Sequence, residues 1–188
     1  MKKNISLALA LFSCLYVSAC VTVPQEKQIN KNQLAISSVR DIPISYPLGS
    51  LFSLAPKYVK ETSLKAAQTQ AVYKLYANAI IADLNTHGYK STEDASSSVF
   101  HVGFGIALAS DLSDEVINDK FGITPGLPSN NEFKKGSFLI YIEDALTGKK
   151  VWRGAVQGFA HEDMKDTERE QRTAAIVNRV MKQFYATN

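Results

Sequence analysis

The tightest constraint on this chain is what its first 20 residues leave behind. Lys2 and Lys3 open it, Ile5 to Val17 is apolar with small residues mixed in, and Ser18-Ala19 precedes Cys20. A positive start, an apolar stretch too short to cross a bilayer and a small-residue cut point make an export signal. Cys14 lies inside the apolar part and leaves with it, so a chain cut before Cys20 keeps one cysteine and forms no internal disulfide. Whatever folds beyond must be held by its own apolar core.

Val17-Ser18-Ala19-Cys20 resembles the lipobox of bacterial lipoproteins, with valine where leucine is usual. The resemblance implies cleavage before Cys20, diacylation of its thiol and acylation of the new amino group. Residues 1–19 are then a lipoprotein signal peptide, 20–33 a lipidated tether, and 34–188 a periplasmic domain. Val21 stands where, in enteric bacteria, an aspartate favours retention at the inner membrane. The expectation is therefore the outer membrane, with the domain facing the periplasm. A triacylated cysteine buries many methylenes at about 0.8 kcal/mol each. Past the signal no apolar run approaches the roughly 20 residues of a membrane helix, so the lipid on Cys20 is the anchor expected.

Losing Lys2 and Lys3 takes the formal charge from +3 to +1. No broad basic surface is implied, and nucleic acid is not an expected partner. The remaining length suits one domain with a substantial core.

Along the chain, Val21 to Gln33 is polar and carries Pro24, as a tether does. Leu34 to Leu54 is strand-like but interrupted by Pro43 and Pro47, which predicts two short pieces or an edge strand. Leu51 to Pro56 alternates and stops at its proline. Ser63 to His87 reads as a helix, with Val72, Leu75, Tyr76, Ala79, Ile80 and Leu84 on one face. Ser63 is a candidate cap and Gly88 a left-handed terminator.

Val99 to Leu108 is the clearest strand. Phe100, Val102, Phe104, Ile106 and Leu108 alternate with His101, Gly103, Gly105 and Ala107. The second face is nearly bare, which suits either close intramolecular packing or a ligand groove. Residues 110–136 read as a long loop in which Asp111, Asp114, Glu115 and Asp119 form a solvated acidic segment; it is either a mobile insert or a binding loop. Ser137 to Phe159 predicts a hairpin turning at Ala145 to Lys149, and Asp163 to Ala186 a helix with Ile176, Val177, Val180 and Phe184 buried. The order predicts an α+β single domain: a mostly antiparallel sheet with two helices packed on one face.

Little in this chain has the spacing of catalysis. His87, His101 and His161 do not stand at metal-ligand spacing, so neither a metal site nor a cofactor is expected. There is no Gly-x-Ser-x-Gly elbow, phosphate loop or zinc-protease signature, and the acids of 110–136 do not fit a calcium loop. His101 on the bare face is a candidate interaction residue. Trp152 and Arg153 are candidates too: a lone tryptophan on a strand is usually a core anchor, whereas a surface Trp-Arg pair suits a protein interface.

The run Gly136-Ser137-Phe138-Leu139-Ile140-Tyr141-Ile142-Glu143-Asp144-Ala145, followed by Thr147-Gly148-Lys149-Lys150-Val151-Trp152-Arg153-Gly154, resembles the signature of domain-of-unknown-function family 4136. That family comprises envelope lipoproteins of Gram-negative bacteria. Phe52 to Pro56, Leu84-Asn85-Thr86-His87-Gly88-Tyr89 and Met181-Lys182-Gln183-Phe184 are similar to the family's other marks. The resemblance implies an α+β fold and the cell envelope; it brings no activity and no site residues. The function expected is a non-enzymatic, lipid-anchored lipoprotein that binds or supports another envelope component in an accessory or assembly role, with an envelope protein as the expected partner. The alternative is a small lipid or glycan held in a groove between strand 99–108 and loop 110–136. A hydrolase using His101 with acids of that loop is the remaining reading.

Overall fold

The computed structural model describes residues 30–57, 65–161 and 163–186, and among these the alternating stretches build one six-stranded sheet. Strands β1 (Leu34–Arg40), β2 (Leu51–Pro56), β3 (Lys90–Ser91), β4 (Phe100–Leu108), β5 (Lys135–Asp144) and β6 (Lys150–Phe159) lie in the order β1-β6-β5-β4-β2-β3. Helices α1 (Ala66–Thr86), α2 (Asp114–Phe121) and α3 (Asp166–Tyr185) pack on it.

The hairpin forms where alternation and turn chemistry put it. Asp144 Oδ1 accepts from the Thr147 N–H at 2.9 Å and from its hydroxyl at 2.8 Å, and β5 and β6 pair antiparallel. β4 continues antiparallel beside β5, and β1 beside β6 as an edge strand. The other half of the sheet departs from the mostly antiparallel expectation. β2 runs parallel to both β4 and β3, so the sheet is mixed. The connection explains it: a helix follows β2, carries the chain back along the sheet, and lets the next strand start from the same end.

One face of the sheet is apolar. Phe100, Val102 and Phe104 of β4, Phe138 and Ile140 of β5, and Trp152 and Val156 of β6 form a single buried cluster with α1 and α3. Helix α1 contributes Tyr73, Ile80 and Leu84, and α3 contributes Ile176, Val177, Val180 and Phe184. The helices lie side by side and are also joined by polar bonds: Asp83 accepts from Asn178 Nδ2 at 2.9 Å and from the Tyr185 hydroxyl at 2.8 Å. Gly88, at φ 89°, ends α1 as its position suggested. Helix α1 starts after Lys65; the candidate cap Ser63 lies outside the described residues.

The second departure is a third helix. Within 110–136, Ser113 Oγ accepts from the Val116 N–H at 3.4 Å, Asp114 and Glu115 face the positive end of the first turn, and Gly122 closes the helix at φ 78°. The segment is thus not a bare loop. It crosses the face opposite α1 and α3, because its partners Lys135, Tyr141, Arg153 and Gln157 alternate with the core residues of β5 and β6.

Candidate functional site

Two places on this scaffold hold candidate residues: the face under α2, and the end of the sheet where the loops 41–50, 92–99 and 145–149 meet.

The face under α2 is filled. A Cβ on Gly103 would collide with the Tyr141 ring, which lies across the strand from it. The Phe121 ring of α2 stands 6.3 Å from Tyr141. At Gly103 the bare face of β4 therefore admits a neighbouring side chain. Burial, aided by Glu143, raises the Tyr141 phenol pKa and keeps it protonated.

Beyond the rings, α2 and the irregular stretch that follows it, 123–134, are fastened by a buried polar network. Lys135 Nζ donates to Asp114 Oδ2 at 2.6 Å and to the Leu127 carbonyl at 3.2 Å. Gln157, fully buried, donates from Nε2 to Asp114 Oδ1 at 2.7 Å and accepts the Leu127 N–H at 2.9 Å. Ile117 and Leu127 are the buried apolar anchors of the segment. Asp114 is thus not part of a solvated acidic run; it is the pin that ties α2 to the sheet.

Arg153 does a related task. Its Nε and Nη2 grip the Asp41 carboxylate at 2.8 and 2.5 Å, and Nη1 donates to the Phe121 carbonyl at the end of α2. Both ends of the guanidinium are occupied. Its neighbour Trp152 points the other way and is 1% exposed, 5.7 Å from the Phe184 ring. Trp152 is a core anchor with no face to offer a partner, and the pair does not form a surface unit.

His101 is half-buried beside two buried serines. Its Nδ1 is 2.7 Å from Ser53 Oγ and 3.1 Å from Ser98 Oγ; the hydroxyls are 3.2 Å apart, and Ser98 donates to the Ala95 carbonyl at 2.7 Å. Each proton is used once if Nδ1–H donates to Ser53, Ser53 to Ser98 and Ser98 to Ala95. In that order Nδ1 is a donor, not a base for the serine. The relay joins β2, β4 and the turn that leads from β3 into β4, and Asp114, the acid a hydrolase would borrow from the segment 110–136, is engaged with Lys135 and Gln157.

The end of the sheet is different. Leu146 is 94% exposed, Leu48 79% and Val99 43%. The Ala145 N–H donates to the Val99 carbonyl at 3.1 Å, which brings the hairpin turn against the start of β4. Leu48 packs beside Gly88 at the mouth of an open depression lined by Asn85, Gly88, Tyr89 and Lys90. The chain enters at Leu34, opposite Gly158, which is the other end of β6. The apolar residues therefore crown the pole away from the chain's start. Sequence reasoning missed them, although a leucine at the tip of a turn, where polar residues are usual, is the available signal.

Cys20 and tether residues 20–29 lie outside the described residues. Among the described residues, no helix is long and apolar enough to cross a membrane, and no group of His, Cys, Asp or Glu is placed to hold a metal ion.

The fold and its filled second face define a single-sheet α+β domain with helices on both sides. Residues 49–184 match the model for the domain of unknown function DUF4136, and the chain belongs to that family. A DUF4136 family protein from Bacteroides thetaiotaomicron shares the fold with TM-score 0.54 at 14% identity, over 85% of this chain and 99% of that one. A PelC dodecamer from Paraburkholderia phytofirmans matches with TM-score 0.49 at 6% identity, over 79% and 95%. The lipoprotein GNA1162 from Neisseria meningitidis matches with TM-score 0.39 at 12% identity, over 71% and 99%. At such identities the first likeness speaks to the fold alone, and the two weaker ones carry nothing further. No curated protein matches the chain.

Proposed function

We propose that this protein is a lipid-anchored lipoprotein of the outer membrane, tethered through Cys20, that works without catalysis by binding or supporting another envelope protein in the periplasm. The observation that carries the reading is the crown of Leu48, Val99 and Leu146 at the pole opposite the chain's start. Three exposed apolar residues on loops at one end of the sheet support a docking surface there, because covering them with a partner removes apolar area from water. The run Val17-Ser18-Ala19-Cys20, which resembles a lipobox, supports the anchor. The other reading, a small lipid or glycan in a groove under 110–136, has less support, since Tyr141 and α2 occupy that space.

The test is a crosslinking pull-down of the intact lipoprotein from its own membranes, with Cys20→Ser as control. A specific protein recovered with the native chain and lost with Cys20→Ser is the expected result. Recovery of no protein from either form, with a small molecule carried through purification, would overturn it.

A further inference from the structure

The edge of β1 away from β6, unpaired among the described residues, is a second surface, distinct from the apolar pole. The Asp41 N–H donates to the Val151 carbonyl at 2.9 Å in the register that pairs Arg40 with Trp152. By antiparallel alternation Ala35, Ser37 and Val39 then bond to β6, while the N–H and C=O groups of Leu34, Ile36, Ser38 and Arg40 point outward. Those outward groups have no partner among the described residues.

Proteins usually protect such an edge with lysine, proline, a bulge or a cover. Here the strand Leu-Ala-Ile-Ser-Ser-Val-Arg has none of the first three, and its pairing with β6 is regular throughout. Its one charge, Arg40, turns toward α3 and donates to the Phe184 carbonyl at 2.7 Å and the Ile44 carbonyl at 3.1 Å.

Residues 30–33, just ahead of β1, are led away from this edge. The Gln33 N–H, which shares the direction of Ala35, donates back to the Asn30 carbonyl at 2.7 Å. The Lys31 carbonyl accepts from His161 Nε2 at 3.0 Å, and the Lys31 ammonium sits 5.6 Å over the Phe133 ring. Residues 30–33 thus cross toward β5 and β6.

We propose that the edge pairs with β1 of a second copy of this chain, antiparallel and centred on Ser37. The strand is self-complementary in that register. Leu34 falls opposite Arg40 and Ile36 opposite Ser38 of the second copy, so every outward N–H meets an outward C=O. Side chains stay on matching faces, and the two sheets become one. The two points where the chains enter lie about 20 Å apart along the shared ladder. Ten residues have a contour length of about 33 Å, so, resting on the proposed anchor at Cys20, residues 20–29 are long enough for both copies to reach one membrane.

The test uses the full-length chain in its own membranes, carrying Ser37→Cys or Val39→Cys and oxidised in air. On the proposed axis the two Ser37 positions form a non-hydrogen-bonded pair about 4.5 Å apart at Cα, within disulfide reach. Val39 faces Ala35 and stands about 13 Å from its twin. The expected result is a disulfide-linked dimer for Ser37→Cys and a monomer for Val39→Cys on a non-reducing gel. A monomer in both, a dimer in both, or an adduct with a different protein would overturn the proposal. None of these outcomes bears on the partner at the apolar pole.

Discussion

The two faces of the sheet are covered in different ways. Beneath α1 and α3 the contact is apolar and interlocked: Trp152 against Phe184, Tyr76 against Phe138 with ring centroids 4.5 Å apart, Phe52 stacked on Phe100 at 5.7 Å. Beneath α2 the apolar contact is sparser, with Ile117 and Leu127 buried and Phe121 against Tyr141, and the segment is fixed by a handful of directional bonds through Asp114, Lys135, Gln157 and Arg153. Apolar burial is non-directional and spread over many contacts, so it holds the fold as a whole. Polar pins are few, and each fixes where one segment sits. Damage to the first face should therefore unfold the domain, and damage to the second should loosen α2 alone.

Trp152→Ala is the severest test of the first half. It should cost about 3–5 kcal/mol in denaturant unfolding, and a cost near zero would break the contrast. Gly103→Ala drives a methyl into the Tyr141 ring and should cost about 1–3 kcal/mol. Pairing it with Tyr141→Leu should recover part of that loss.

Gln157→Leu strips partners from Asp114 and the Leu127 N–H, a penalty of about 1–3 kcal/mol. Hydrogen exchange should speed up in 114–121 more than in β4 or β5; uniform acceleration would show that the second face is not a separate unit. The smallest effect is at His161, whose pKa is lowered by burial below the usual 6.5. A depressed histidine contributes stability that is present above its unfolded pKa and lost as pH falls through the folded value. The thermal midpoint should therefore decline below about pH 6.5, and less steeply in His161→Gln.

The same contrast governs how far the sequence could be read. Alternation from Phe100 to Leu108 and the helical stripes at Leu84 and Val180 announce the apolar face, because burial on one side leaves a period in the chain. The second face leaves none. Asp114 looks like any surface acid until Lys135 and Gln157 arrive beside it from distant strands, and no local pattern carries that meeting. The short helix did leave a mark in Ser113-Asp114-Glu115 and Gly122, too brief for periodicity to register. The parallel pairing of β2 with β4 was masked because the hairpin supplied the only pairing that adjacent sequence makes plain. Trp152 next to Arg153 was ambiguous for a simpler reason: neighbours on a strand face opposite ways, and only the fold says which way is in.

The measurement that bears most directly on the account is the membrane crosslinking pull-down repeated with Leu48→Asp and Leu146→Asp together. Both residues are exposed, so the fold should stand, as circular dichroism would verify. The account predicts that the partner recovered with the native chain is lost while the lipid anchor is kept. A partner recovered undiminished would contradict it and remove the apolar pole as the docking surface.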